Sequence, residues 1–300
     1  MGMTSPASNN MDRIIDFHTH TFPDAIAARA LARLSAASHT KYFTDGTEAG
    51  LSASMRRAGI ALSVIQPVAT NPGQVVKIND ASLRINEHTG ETGLHSFGCI
   101  HPDYESWSEE LRHLKDAGIC GIKLHPVYQG VDFDDPRTLR ILDRCAELGL
   151  SVLIHAGLDV GYPGVVRGSP RMILRALREV GPVTLILAHM GGWRCWDEVL
   201  DLLPGTGVYL DTSFALGKMT PNGDGHYQTE DELRMLDEES FVRLIRAFGA
   251  DHVLFGTDSP WADQAEALAA FLRLPLTEGE QSLILHENAE RLLGFQLSAE

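Results

Sequence analysis

Short apolar runs begin near Arg13, Ala61, Leu94, Ile119, Leu150, Val183, Val208 and His252, and amphipathic stretches separate most of them. This alternation constrains the chain more than any other feature. A strand that leads into a helix and then into another strand calls for a parallel sheet, because the helix carries the chain back across the sheet face. Eight such units in 300 residues predict an α/β protein with a single (β/α)8 TIM barrel, spanning 12–296. Helices are expected over 74–87, 105–117, 136–148, 170–180, 193–203 and 231–248. The competing arrangement is a doubly wound open sheet. It lacks support, because no G-x-G-x-x-G follows the first run and no acid placed for a ribose is evident.

Four of the runs end in a histidine or an aspartate. Residues 13–17 lead into His18-Thr19-His20, 151–154 into His155, 183–188 into His189, and 252–257 into Asp258. In a parallel barrel the carboxyl ends of the strands share one mouth, where the active sites of such barrels lie. Side chains alternate along a strand, so His18 and His20 point the same way and can grip one ion. Imidazole and carboxylate suit a borderline cation such as zinc. With thirteen histidines in the chain, chance supplies roughly half an H-x-H, so that pair alone is weak. The repeated strand-end context carries the metal-site reading over simple local capping.

A formal charge of −15 argues against nucleic acid or an anionic membrane as partner. The four cysteines, Cys99, Cys120, Cys145 and Cys195, have no C-x-x-C spacing, which reads as reduced, packing thiols in a cytoplasmic protein. No apolar stretch approaches a membrane span, and the polar start is read as a disordered tail over 1–11. Two connections are unusually long. Residues 21–59 hold an alanine-rich helix (25–37) and Tyr42 to Gly46, read as an insertion over the mouth. After the seventh strand, 212–230 mixes glycine with Phe214, Met219 and Tyr227, as a mobile lid would. A homodimer is the base-rate expectation.

Asp16-Phe17-His18-Thr19-His20, Gly121-Ile122-Lys123-Leu124-His125-Pro126, Ile154-His155-Ala156-Gly157, Ala188-His189-Met190-Gly191-Gly192 and Phe255-Gly256-Thr257-Asp258-Ser259-Pro260-Trp261 together resemble the amidohydrolase superfamily. More narrowly they resemble its amidohydrolase-related family, which includes the aminocarboxymuconate-semialdehyde decarboxylase-like enzymes. The resemblance implies that His18, His20, His155 and Asp258 bind a divalent metal, zinc or alternatively manganese. It also implies that His189 stands beside the activated water as a proton shuttle, with Asp258 sharing that work. In some amidohydrolases a carboxylated lysine ending the fourth strand bridges two metals, and Lys123, His155 and His189 would permit this. One ion is favoured over two, because the decarboxylase-like branch resembles a one-metal design.

Lys123 and His125 lie two apart on the expected fourth strand and share a face, which Ile122 and Leu124 mark as the barrel interior. Lys123 is expected to bind an anionic substrate group or steady Asp258. His101, ending the third run, is read as a pocket wall. Trp261, Tyr128, Trp193 and Tyr162 supply aromatic candidates for the same pocket, and Arg167, with Arg171 a weaker alternative, a carboxylate contact. The first functional expectation is hydrolysis of an amide, lactone or ester of a small polar molecule by metal-activated water. The alternative is non-oxidative decarboxylation of a small aromatic or dienoic acid, which demands more cations than the sequence offers. A catalytically silent binding barrel is the third reading, weakened by the full set of costly polar groups.

Overall fold

The structure, a computed structural model, describes residues 13–297, so the expected tail lies outside it. Strands β1 (Ile15–Thr19), β2 (Leu62–Ile65), β3 (Leu94–Ser96, resuming at Gly98–Cys99), β4 (Gly121–Leu124), β5 (Ser151–Ile154), β6 (Leu185–Leu187), β7 (Tyr209–Asp211) and β8 (Val253–Leu254) follow one another around a parallel barrel. The first segment of β3 pairs with β2 and the second with β4, so the strand itself carries the sheet across the break at Phe97. Closure comes from β8 against β1. Phe17 N–H donates to Phe255 O (2.8 Å), Asp258 N–H to His18 O (2.8 Å) and His20 N–H to Ser259 O (2.7 Å).

Both faces of each strand are buried, which is why the runs read as nearly continuous apolar sequence. Ile122, Leu124, Val152 and Ile154 pack outward in the layer beneath the helices. Phe17, Leu62, Val64, Phe97, Leu153, Ile186 and Leu254 fill the barrel, and Ala289 and Leu293 of the terminal helix Asn288–Leu293 join that inner cluster. The site at the carboxyl ends therefore rests on a packed floor.

The main helices are α1 (Asp24–Ser38), α2 (Glu48–Ala58), α3 (Val75–Glu87), α4 (Trp107–Asp116), α5 (Pro136–Leu148), α6 (Pro170–Glu179), α7 (Trp196–Leu202), α8 (Glu238–Phe248) and α9 (Gln264–Leu272). Their ends follow local chemistry. Proline opens α5 and α6, where Asp135 and Ser169 accept N–H groups from Arg137 and Met172. Two expectations change. The helix expected over 231–248 is split, because residues 234–236 instead pair back on the long connection: Met235 N–H donates to Gly217 O (2.8 Å) and Leu236 N–H to Ala215 O (2.9 Å). The 21–59 segment holds a second helix, α2, capped by the Thr47 side chain at Gly50 N–H. The helix that returns the chain to β2 is α2, so the added part is α1 and 39–47.

That added part is stitched to the long connection after β7. Lys41 N–H donates to Thr220 O (2.9 Å), Asn222 N–H to His39 O (3.0 Å) and the Tyr227 hydroxyl to Ser38 O (2.8 Å). His39 and His226 stack with ring centroids 3.6 Å apart, and Asp224 accepts from His39. The connection also carries Met219 and Phe214 into a small apolar cluster with Trp193 and Met235. The glycine-rich segment is thus a packed cover.

Candidate active site

Strict alternation along β1 would set His18 opposite Phe17, yet both face inward. Pairing of β1 with β2 shifts register between Asp16 and Thr19, and that bulge re-aims the strand so that Phe17 joins the floor while His18 and His20 enter the mouth. Asp16, fully buried, holds the bulge. Its Oδ1 accepts the N–H of His18 (3.2 Å) and of Thr257 (2.9 Å), and its Oδ2 accepts Thr257 Oγ1–H (2.6 Å) and Gln264 Nε2–H (2.7 Å). One carboxylate thereby fixes β1 against the end of β8, next to Asp258. Burial pushes the Asp16 carboxyl up to about 7 despite those bonds. A Cβ on Gly256 would stand 2.9 Å from that of His18, so only glycine lets the strands approach here. Asp258 and His189 sit at φ 68° and 60°, a left-handed backbone that costs energy and recurs at functional sites.

Each imidazole is held by a second partner that leaves a defined nitrogen free. His18 Nδ1 donates to Asp211 Oδ2 (2.7 Å) and His20 Nδ1 to Gln66 O (2.8 Å). Their Nε2 atoms then face each other at 3.2 Å, with Asp258 Oδ1 3.5 Å from the first and 3.1 Å from the second. Burial, then the charge of Lys123, holds His18 well below the usual imidazole range, while burial raises Asp258. Converging lone pairs with no proton between them are unfavourable unless a cation occupies the gap. The donor set and its orientation therefore fit a divalent metal.

The other two histidines make a similar pair beside it. His189 Nδ1 donates to Ser213 O (2.9 Å) and His155 Nε2 to Leu158 O (3.0 Å), which leaves His189 Nε2 and His155 Nδ1 facing at 3.0 Å. The rings of His18 and His189 are 5.4 Å apart. His155 therefore lies in the mouth without directing Nε2 at the His18, His20 and Asp258 group.

Lys123 is fully buried, with Nζ 3.4 Å from His18 Nε2. Burial lowers its ammonium to about 8, against the opposing charges of Asp211, Asp258 and Asp159. His125 stacks on Tyr128 (3.8 Å) and on His155 (4.3 Å, 12° between planes), and its Nε2 lies 3.4 Å from Asp159 Oδ2. Burial pushes His125 down to about 3. Burial alone would raise Asp159, yet the bond from His125 and the neighbouring imidazoles hold its carboxyl well below the usual range. His125, His155 and Asp159 are close enough to suggest ligands. Parallel imidazoles keep their lone pairs in separate planes, however, so one ion between them suits neither ring.

The remaining sequence candidates divide by location. Trp261 N–H donates to Asp258 O (2.8 Å), closing the turn that presents the aspartate. His101 Nδ1 accepts the N–H of Asp103 on its own loop (3.1 Å). Arg167 pairs with Asp132 (2.7 Å) and Arg171 with Glu198 (2.6 Å), both pairs partly exposed to solvent. Three residues escaped the sequence reading. Asp211 ends β7 after Val208-Tyr209-Leu210, the same strand-end signal that marked His155. Its Oδ1 also accepts N–H groups from His189 (2.9 Å) and Ser213 (3.1 Å). Asp16 was visible only as part of a strand, and Asp159 had no signal beyond lying four residues after His155.

A parallel barrel whose mouth gathers imidazoles and carboxylates around a cation-sized gap is the architecture of a metal-dependent barrel enzyme. The chain matches the amidohydrolase family model over residues 15–295 and belongs to that family. Solved structures share the fold over nearly the whole chain. An uncharacterized TIM-barrel protein from Bordetella bronchiseptica is 20% identical with a TM-score of 0.72, covering 94% of this chain and 98% of its own. A putative 2-pyrone-4,6-dicarboxylic acid hydrolase from Pseudomonas putida is 17% identical (TM-score 0.63; 96% and 99%). A 5-carboxyvanillate decarboxylase from Novosphingobium aromaticivorans, with bound manganese, is 13% identical (TM-score 0.67; 96% and 99%). No curated protein matches the chain. The similar structures thus include both hydrolases and decarboxylases. Among the described residues no helix is long and apolar enough to cross a membrane.

Proposed function

We propose that this chain is a metal-dependent hydrolase acting on an amide, lactone or ester bond of a small polar molecule. The observation that carries this reading is the charge balance of the mouth. Lys123 stands there with Asp258, Asp211 and Asp159, and every arginine hydrogen bond and ion pair among the described residues is made outside this cluster. Decarboxylation of an aromatic or dienoic acid calls for a cation cluster to bind the carboxylate, and that cluster is lacking.

His18, His20 and Asp258 would hold one divalent ion, zinc in first place and manganese in second. When bound, such an ion lowers the pKa of water and polarises a substrate carbonyl. The chain's own residues manage the protons. The Asp258 carboxyl oxygen not turned toward the two imidazoles would accept a proton from the attacking water and return it to the leaving group. The facing pair His189 Nε2 and His155 Nδ1 holds a proton between its two nitrogens during the exchange. Asp211 keeps His18 in the tautomer that leaves Nε2 free. Lys123 steadies the carboxylate of Asp258 or the substrate oxygen. Decarboxylation remains the second reading, favoured by the burial that raises Asp258 and equips it to deliver a proton to carbon.

The deciding experiment measures metal per chain after purification without chelators, then screens lactones, amides, esters and aromatic acids. About one equivalent, with acid release from the acyl compounds, is the expected result. Carbon dioxide release without acyl hydrolysis would establish the second reading. Turnover unaffected by metal removal would sink both.

A further inference from the structure

Among the described residues, Asp159 is the one mouth carboxylate that neither orients His18 nor joins the metal group. It is 6% exposed, and its Oδ1 accepts the N–H of Gly161 (2.8 Å). The donors nearest its Oδ2 are His125 Nε2 at 3.4 Å and His155 Nε2 at 3.8 Å. Hydrogen bonds to a carboxylate normally close to about 2.7–2.9 Å, and His155 Nε2 is already committed to Leu158 O. In a residue only 6% exposed, that oxygen is left with long contacts alone, near the reacting groups. Such an acceptor is costly unless a closer donor arrives.

Its surroundings indicate which donor. Tyr128 stacks at 3.8 Å on His125, whose Nε2 is the nearer of the two imidazole contacts of Asp159 Oδ2. Tyr162 follows three residues after Asp159, with its ring 5.4 Å from that of Tyr128 and its side half open to solvent. A carboxylate with aromatic rings close by is an environment that favours a protonated amine over a neutral or anionic group.

We propose that Asp159, with Tyr128 and Tyr162, forms a subsite for a cationic nitrogen of the substrate, carried at a distance from the bond that reacts. This rests on the hydrolase reading for the reacting end but concerns binding at the other end. The expected substrates are small acyl compounds with an amine-bearing tail. Substrates with a second carboxylate are disfavoured, because it would meet Asp159.

The test uses zinc-loaded full-length protein and two matched series of acetamides, ω-acetamidoalkylamines and ω-acetamidoalkanoates of equal chain length, with dissociation constants and hydrolysis measured separately. The best amine should bind about tenfold more tightly than its carboxylate twin. Asp159→Asn, which keeps an oxygen for His125, should bring that ratio below about twofold. Tyr162→Leu, at a half-exposed position that threatens folding less, should reduce it roughly threefold. Equal or tighter binding of the carboxylates, no binding by any amine, or a ratio unchanged in well-folded Asp159→Asn would overturn the subsite. Amine-selective binding without hydrolysis would uphold the subsite and count against the hydrolase reading alone.

Discussion

The lower and upper halves of the barrel interior are built from the same strands and buried to the same degree, yet they use opposite chemistry. Below, Phe17, Phe97, Leu153, Ile186 and Leu254 fill the space with apolar side chains. Above, Lys123, His18, His189 and Asp211 are just as inaccessible to water. The floor gains stability by burial alone. The mouth must satisfy each polar atom individually, and the convergence of His18 Nε2 and His20 Nε2 and the long contacts of Asp159 Oδ2 are where a ligand would complete it.

The contrast is open to direct challenge. The largest effect is expected from His18→Ala, which removes one nitrogen from the convergent group. Metal content should fall below about a tenth of an equivalent and turnover by roughly a thousandfold or more, with the circular dichroism spectrum retained. Persistent metal binding would show that the floor and mouth are not divided as described. Phe97→Ala tests the other half: its buried ring abuts Phe17 edge-on at 5.5 Å. Urea denaturation should reveal a loss of about 3–5 kcal/mol, while the folded fraction keeps its metal affinity. A drop in affinity out of proportion to folding would link the halves more tightly than their packing implies.

The smallest expected effect is a pH dependence at the lower end. His95, near the start of β3, is 7% exposed, and burial pushes it down to about 4. Its neutral form is favoured by folding, so its contribution is complete above the unfolded value near 6.5 and is lost as pH falls from there towards 4. At pH 5 the loss relative to pH 7 should be on the order of 1–2 kcal/mol. His95→Gln should flatten that part of the stability profile. An unchanged slope would mean that other groups carry it.

Much of this architecture was legible in the sequence because it follows local periodicity. The strand starts fall within two residues of the apolar runs, and α5 spans the amphipathic stretch from Pro136 to Leu148. What escaped depended on contacts between distant segments. The 234–236 stretch reads as helix until its pairing with 215–217 is known. Similarly, the placement of Phe17 and His18 on the same side requires a bulge fixed by Asp16 through Thr257 and Gln264, more than 240 residues away. At the site, His18, His20, His189 and Asp258 stood out as strand-end residues. Asp211 meets the same criterion, but its role depends on a bond to His18, 193 residues away in the chain. Asp159 lies on a loop, where spacing carries little information about direction.

The backbone bonds from 39–41 to 220–222 make the cover a joint product of two segments that are far apart in the chain. Such a cover resists modular exchange. A transplant of the connection after β7 from another barrel would leave Lys41 N–H and His39 O without partners, and removal of the segment after β1 would strand Thr220 O and Asn222 N–H. Engineers who wish to recast this enzyme's preferences should therefore treat the two segments as a single part, replaced together or not at all.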